Sequence, residues 1–210
     1  LKAYIEGQFV NLTQGATYYG FKRDIHTGKC KYNSRFPIRI GMDWNVDPLC
    51  AVLWQQTNTK KIQVIREIAL SHAGEGDLLT QRMCDTIKEL YPNNTYIAYP
   101  DATGAGRHSS AQFSDINIVR RNGFIVKVAH INPRVINRVN AMNNQFSKNN
   151  VMIDDSCKVL IKDLEQVTNK EGTREIDKSN KNLTHMSDAL GYAITWEYPV
   201  TKPSIGVIDR

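Results

Sequence analysis

Three aspartates in this chain stand where an apolar stretch gives way to polar sequence. Asp43 ends the run from Ile38, Asp101 follows Tyr99-Pro100, and Asp188 lies near the start of a segment with helical spacing. A buried carboxylate is costly unless it is paired or binds a cation, and three close together cannot all stay ionised without one. Carboxylate oxygens suit hard divalent cations such as Mg²⁺ or Mn²⁺. Two such ions about 4 Å apart can hold the attacking water and the leaving oxygen of a phosphodiester and so promote its hydrolysis.

Each of these aspartates also has an ordinary structural interpretation. Asp43 can serve as a turn residue at a strand end, and Asp101, before Ala-Thr-Gly, can form an Asx turn. Asp188 lies four residues after Thr184 and can favour the dipole of a helix that begins there. Residue types and spacing alone leave both interpretations open.

The elements that would position the aspartates follow from the hydrophobic pattern. Apolar runs predict strands at 37–43, 49–56 and 61–70, and the bend after Asp43 is too short for a helical crossover, so these strands should be antiparallel. Further along, the pattern predicts strands at 95–100, 123–128 and 151–153. It predicts helices at 77–90, around 110–113, at 132–146, at 156–167 and from Thr184. The expected fold is an α/β mixed sheet, three antiparallel strands and then shorter parallel ones, flanked by helices.

Three units are expected along the 210 residues. Residues 1–36, with a hairpin around Gly28, form a leader that packs on the domain, residues 37–198 form the main domain, and residues 199–210 form a flexible tail. The chain begins at Leu1 inside strand-like sequence, which indicates a piece of something longer.

The composition and net charge of the chain indicate which kinds of partner it could bind. The net charge is +6 and the isoelectric point is near 9.1, which favours a polyanionic partner. No apolar run approaches the ~20 residues of a membrane span, and nothing resembles a signal peptide. The four cysteines are scattered singly, which argues against structural zinc.

Further residues have candidate roles around the aspartates. Asp47, on the bend, is either a metal ligand or a turn residue, and His185 either supports Asp188 or phosphate binding or caps its helix. Glu67 is expected in a structural charge pair, and Asp154 and Asp155 as caps of the next helix. A basic set, including the residues of a polar hairpin at 168–182, is either a solvated face or a surface that contacts the phosphates of a nucleic acid without reading sequence: Arg107, His108, Arg134, Arg138, Lys170, Arg174, Lys178 and Lys181.

Three motifs occur in a characteristic order: Ile40-Gly41-Met42-Asp43-Trp44, Tyr99-Pro100-Asp101-Ala102-Thr103-Gly104 and His185-Met186-Ser187-Asp188-Ala189-Leu190-Gly191-Tyr192. Together they resemble the nuclease domain of large terminase subunits of tailed bacteriophages, in the ribonuclease-H-like superfamily. The leader, from Tyr4 to Val10 and from Tyr18 to Phe21, resembles the segment that joins the terminase motor to that domain.

The resemblance implies a two-metal endonuclease that cuts concatemeric double-stranded DNA during genome packaging. By position, it implies Asp43, Asp101 and Asp188 as catalytic metal ligands for two Mg²⁺ or Mn²⁺ ions. It also implies an ATPase motor domain in the full-length protein, a small terminase and a portal as partners, and the cytoplasm of the infected host cell as the location.

One feature departs from whole large terminases. No phosphate-binding G-x-x-x-x-G-K-[ST] motif occurs in the chain, so we expect the nuclease portion without ATPase activity. Two other hypotheses are open on the sequence alone. A junction resolvase or transposase on the same fold would prefer branched DNA or defined ends, and a catalytically inactive DNA-binding or assembly module would bind DNA without nicking it.

Overall fold

A computed structural model of the chain describes residues 15–44, 47–74, 78–105, 114–173, 175–180 and 183–200. The strands are β1 Thr27–Gly28, β2 Ile38–Asp43, β3 Leu49–Gln56, β4 Ile62–Leu70, β5 Tyr96–Pro100, β6 Ile125–Val126 and β7 Val151–Asp154. The helices are α1 Arg23–His26, α2 Leu79–Leu90, α3 Asp115–Arg121, α4 Val135–Ser147, α5 Lys158–Gln166 and α6 His185–Glu197, with a 3₁₀ turn at Ala102–Ala105.

The strands form one mixed sheet of seven strands in the order β1-β7-β4-β3-β2-β5-β6. Strands β2, β3 and β4 are an antiparallel meander, whereas β2–β5, β5–β6, β4–β7 and β1–β7 pair in parallel. The predicted fold class is therefore confirmed, including the three long antiparallel strands. The short bend between β2 and β3 permits only this antiparallel pairing.

Successive side chains along the central strands point to opposite faces of the sheet, so the hydrophobic core consists of two clusters, one on each face. Ile38, Ile40 and Met42 of β2 are fully buried in a cluster that includes the apolar face of α2. The opposite face of the sheet, including Trp54 and Tyr99, packs against α4, α5 and α6. The odd-numbered positions of β2 therefore face α6, because successive side chains of a strand point to opposite faces.

Some element boundaries differ from the predicted ones. The hairpin around Gly28 is wrong, because β1 instead pairs in parallel with β7, with Thr27 opposite Ile153. The strand predicted at 123–128 is reduced to two residues, since Gly123 has φ 83° and still belongs to the turn after α3. Helices α2 and α5 each begin two residues later than predicted.

The polar segment after α5 is a hairpin as predicted, with an antiparallel bridge between Asn169 and Ile176. Asp77, the helix expected around 110–113 and the tail beyond residue 200 lie outside the described residues, and the domain boundary at residue 36 stays a prediction. In the part of the chain that the structure describes, no helix has the length and apolarity needed to cross a membrane.

Two acidic residues bind the backbone near the start of α5. Glu67 was expected in a charge pair, but its carboxylate accepts hydrogen bonds from the backbone N–H groups of Val159 (2.9 Å) and Leu160 (2.7 Å). Uncompensated N–H groups at a helix start make good partners for a carboxylate, which explains the difference. Asp154 Oδ1 accepts from the Ser156 backbone at 3.0 Å, so it orders the turn that precedes the helix.

Candidate metal-binding site

The register between β2 and β5 places Asp43 and Asp101 side by side. The two strands are parallel with Met42 opposite Pro100, and the Asp101 backbone N–H donates to the Met42 carbonyl at 2.9 Å. Both aspartates therefore lie at the carboxyl ends of neighbouring parallel strands. The indole N–H of Trp44 donates to the Asp101 carbonyl at 2.9 Å and so links the two strand ends.

Helix α6 brings Asp188 to the same edge of the sheet. It crosses β2 at Gly41, where a Cβ atom would lie 2.0 Å from the carbonyl oxygen of Ala189. Only a residue without a side chain permits this approach. Since Ala189 adjoins Asp188, the contact sets the height of the third aspartate above the sheet.

A buried carboxylate holds the start of α6 in place. Asp163 Oδ2 accepts from the backbone N–H groups of Met186 (3.0 Å) and Ser187 (3.1 Å), which belong to the first turn of α6. Thr184, expected to cap this helix, stands at the N-cap position with φ 87° but makes no side-chain cap bond. Burial raises the pKa of Asp163 to about 6, although these N–H groups oppose the rise.

The three aspartates form a buried acidic cluster. Asp43, Asp101 and Asp188 are 7%, 8% and 7% exposed. Burial raises the pKa of Asp43 above its ordinary value, the hydrogen bond from His185 opposes the shift, and the charges of Asp188 and Asp101 add to the rise. The negative charges of Asp188 and Asp101 therefore act on Asp43 within the cluster.

Each carboxylate of the cluster has a different side-chain partner. His185 Nδ1 lies 3.4 Å from Asp43 Oδ2, and Arg138 Nη2 donates to Asp188 Oδ1 at 2.9 Å. Asp101 Oδ1 accepts from the side-chain amide of Asn132 and, at 2.8 Å, from the Thr103 backbone. The Asx turn considered for Asp101 is therefore present alongside its place in the cluster.

The donor set of the cluster fits a hard divalent cation in its chemistry, since it consists of carboxylate oxygens on rigid elements. Within the described residues, however, no three His, Cys, Asp or Glu side chains are already arranged to hold a metal ion. One oxygen of each carboxylate is instead engaged by His185, Asn132 or Arg138.

Solved structures with a similar fold come from bacteriophage large terminases. The large terminase of thermophilic bacteriophage D6E aligns with a TM-score of 0.65 and 20% identity, over 91% of this chain and 47% of that chain. The P22 large terminase nuclease domain gives a TM-score of 0.65 and 11% identity, covering 89% of this chain and 94% of its own. The large terminase nuclease from thermophilic phage G20c with bound magnesium gives 0.63 and 10%, covering 87% and 98%. This chain has the fold of a large terminase nuclease domain.

The extent of the match differs between these proteins. The chain spans about half the length of the D6E large terminase but nearly all of the P22 and G20c nuclease domains. The G20c nuclease has also been solved with bound cobalt. No protein-family model matches the sequence, and no curated protein matches it.

The remaining residues that were predicted to belong to the site differ in exposure, and some lie outside the described residues. Asp47 is exposed on the bend between β2 and β3, and its role as a metal ligand stays a prediction. Arg134 and Arg138 do not form one exposed face of α4, because Arg134 is exposed at the start of the helix whereas Arg138 is only 6% exposed. Lys170 and Lys178 are exposed on and beside the hairpin. The others lie outside the described residues: Arg107, His108, Arg174 and Lys181.

Two contacts of the cluster were not predicted from the sequence. The sequence predicts Asn132 only as the start of a helix and Arg138 only as a candidate for DNA contact. The Arg138 guanidinium lies 4.5 Å from the ring of Tyr192, one helical turn after Asp188. Burial lowers the pKa of the Arg138 guanidinium, but Asp188, Tyr192 and Tyr18 together raise it above its usual value. Asp188 and Tyr192 are four residues apart and so lie on the same face of α6. A carboxylate and an aromatic ring on one helical face can together bind an arginine, and this spacing is the sequence signal for Arg138.

Proposed function

We propose that this chain is a metal-dependent endodeoxyribonuclease, the nuclease domain of a bacteriophage large terminase. The observation that carries the proposal is the convergence of three buried aspartates at the carboxyl ends of β2 and β5 and on α6. This arrangement occurs on a fold shared with the G20c nuclease, which binds magnesium and cobalt. Junction resolvases and inactive DNA-binding modules are the alternatives that a cleavage experiment separates from it.

The chain's own residues would supply rigidity and charge. Asp43, Asp101 and Asp188 would hold two Mg²⁺ or Mn²⁺ ions, which when bound lower the pKa of a water and stabilise charge at the scissile phosphate. Placing two ligands on adjacent central strands and the third on a helix packed against Gly41 fixes their backbone positions. The protein then needs no side chain as nucleophile.

The substrate and partners are also part of the proposal. We expect double-stranded concatemeric DNA to be cut during genome packaging in the cytoplasm of the infected cell. Exposed cations would hold phosphates, among them Arg134, Lys170 and Lys178. An ATPase motor domain, a small terminase and a portal would act with this domain, by analogy with whole large terminases.

A plasmid assay tests the proposal. Supercoiled plasmid incubated with the protein should be nicked and linearised in Mg²⁺ or Mn²⁺ and remain intact in EDTA. Asp43→Asn, Asp101→Asn and Asp188→Asn should each abolish cleavage while circular dichroism stays native. Asp155→Asn, which changes an aspartate outside the cluster, should cut at the wild-type rate.

The other outcomes identify the alternatives. Cleavage restricted to four-way junctions would favour a resolvase, and DNA binding without any nicking would favour an inactive module. A single cluster variant that cuts at a near wild-type rate would remove that aspartate from the catalytic set.

A further inference from the structure

A positive charge is built into the acidic cluster. Arg138 projects from the first turn of α4, is only 6% exposed, and donates from Nη2 to Asp188 Oδ1 at 2.9 Å. Its guanidinium lies 4.5 Å from the centre of the Tyr192 ring. Arg138 therefore already neutralises one of the carboxylates that would bind metal.

The geometry of Arg138 is poorly explained by stability alone. Nη1 donates to the Pro133 carbonyl at 3.1 Å, but Nε is buried and has no acceptor among the described residues. A buried guanidinium is costly, and replacing a buried ion pair with apolar residues is often neutral or stabilising. An incompletely bonded charge in a cluster of this kind calls for a functional explanation.

We propose that Arg138 is an internal counter-ion that shares Asp188 with the metal and weakens metal binding until the phosphate of DNA enters. This inference rests on the proposed nuclease function. In the absence of metal, the guanidinium relieves the repulsion among the three carboxylates. When metal binds, the same positive charge opposes it across a short distance, since like charges repel.

Formal charges show why the phosphate would matter. Three carboxylates balance most of the charge of two divalent ions, but the guanidinium adds a further positive charge to the site. A phosphodiester brings the negative charge that compensates it. Full metal loading would therefore be coupled to DNA binding, and the coupling is reciprocal: metal should strengthen DNA binding by the same factor.

Calorimetry of Mn²⁺ binding to the full chain without DNA tests the inference. Arg138→Met keeps an apolar side chain of similar length and removes the charge. We expect it to melt at a lower temperature in EDTA than the wild type, yet to bind Mn²⁺ about tenfold more tightly or better. Arg138→Lys keeps the charge and should stay within about threefold of the wild-type affinity.

The control breaks an arginine–carboxylate ion pair elsewhere, one whose arginine is half-exposed. Arg23 binds Glu165 through two bonds of 2.7 Å, so Arg23→Met should lower the melting temperature without changing Mn²⁺ affinity. A purely structural role for Arg138 predicts that Arg138→Met binds Mn²⁺ equally or more weakly, and that result would overturn the inference. Unchanged Mn²⁺ affinity with weakened DNA binding in EDTA would instead assign Arg138 to the phosphate, also against the inference.

A measurement on the wild type covers the case in which Arg138→Met does not fold. The side-chain N–H signals of Arg138 in nitrogen-15 spectra should shift as Mg²⁺ is added, because ion and guanidinium compete for Asp188. Signals that stay unchanged at saturating Mg²⁺ would reject the inference. A wild type that binds neither Mg²⁺ nor Mn²⁺ and never nicks plasmid would reject the proposed function itself, which is a distinguishable result.

Discussion

Gly41 lies directly beneath the backbone of Ala189, so close that an added Cβ atom would be 2.0 Å from the Ala189 carbonyl oxygen. The strand that ends in Asp43 and the helix that carries Asp188 are thus in contact through main-chain atoms. The separation of these two carboxylates is therefore set by a glycine two residues before the first of them.

Gly41→Ala should push α6 away from β2 and displace Asp188. We expect a loss of stability of about 1–3 kcal/mol, as for overpacking of a dense core, together with weaker Mn²⁺ binding. Urea denaturation and calorimetry measure the two effects. Gly28→Ala is the control, because its Cβ would meet only the Met152 sulfur at 3.4 Å. A Gly41→Ala protein with wild-type Mn²⁺ affinity would contradict the role of this glycine.

Asn132 should act as a positioning residue for Asp101. Its side chain bonds both Asp101 Oδ1 and the Ala102 backbone N–H, the latter at 2.8 Å, so it fixes the carboxylate relative to the turn that follows. Asn132→Ala is expected to reduce metal affinity or cleavage by roughly 10–100-fold, the usual cost of losing a group that orients a ligand.

Asn94 provides the comparison for Asn132, because it stands just before the other end of β5 and bonds the Ile38 backbone N–H at 3.3 Å. Asn94→Ala should affect stability without altering Mn²⁺ affinity. Equal Mn²⁺ affinities for the two variants would show that Asn132 does not position Asp101.

Asp163 should make stability depend on pH. Its pKa is about 6 in the folded chain and 3.8 ordinarily, so the folded state holds the proton more tightly. The stability that the folded chain gains from this tighter proton binding is present below about pH 4 and is lost as the pH rises through 6. By linkage, the loss is up to about 3 kcal/mol.

Asp163→Asn should remove that pH dependence while an amide oxygen still accepts from Met186 and Ser187. Urea denaturation between pH 4 and 7 compares the two proteins, with the stability difference shifting in favour of the variant as pH rises. Parallel curves would show that Asp163 is not protonated preferentially in the folded state.

The exposed cations should hold DNA without contributing to chemistry. Removing the charge of Lys170, Lys178 or Arg134 is expected to weaken binding equally on all sequences. The slope of log affinity against log salt should fall by ~1 for each phosphate that is no longer neutralised. Cleavage should recover at high DNA concentration. Lys29→Ala is the control, since this side chain is 79% exposed and faces Asp155 at 3.8 Å. Salt slopes identical to the wild type would remove these residues from the DNA path.

The sequence predicts β2 and β3 well because both strands are buried on both faces and read as apolar runs bounded by turn residues. Strand β4 is partly exposed, and apolar residues still make up most of its length. The sequence does not predict β1, because two residues carry no periodic signal and the partner strand β7 lies far along the chain. Pairing over that distance depends on the packing of α1, which local patterns do not encode.

The partners of the aspartates were harder to predict than the aspartates themselves. Asp43, Asp101 and Asp188 stand at the ends of strands or the start of a helix, where a carboxylate next to an apolar run is easily recognised. Their motifs also resemble those of large terminase nuclease domains. Asn132 and Arg138 meet them only through tertiary contacts. An arginine on a helix is usually exposed, and nothing local distinguishes Arg138 from Arg134 four residues earlier.

The origin of Asp188 on α6 has a consequence for biosynthesis. Asp43 and Asp101 belong to strands that are translated before α6, the helix that completes the set. A chain interrupted before α6 would carry only two of the three carboxylates. Under the proposed function, cutting activity would arise only after synthesis has passed this helix and the helix has docked at Gly41.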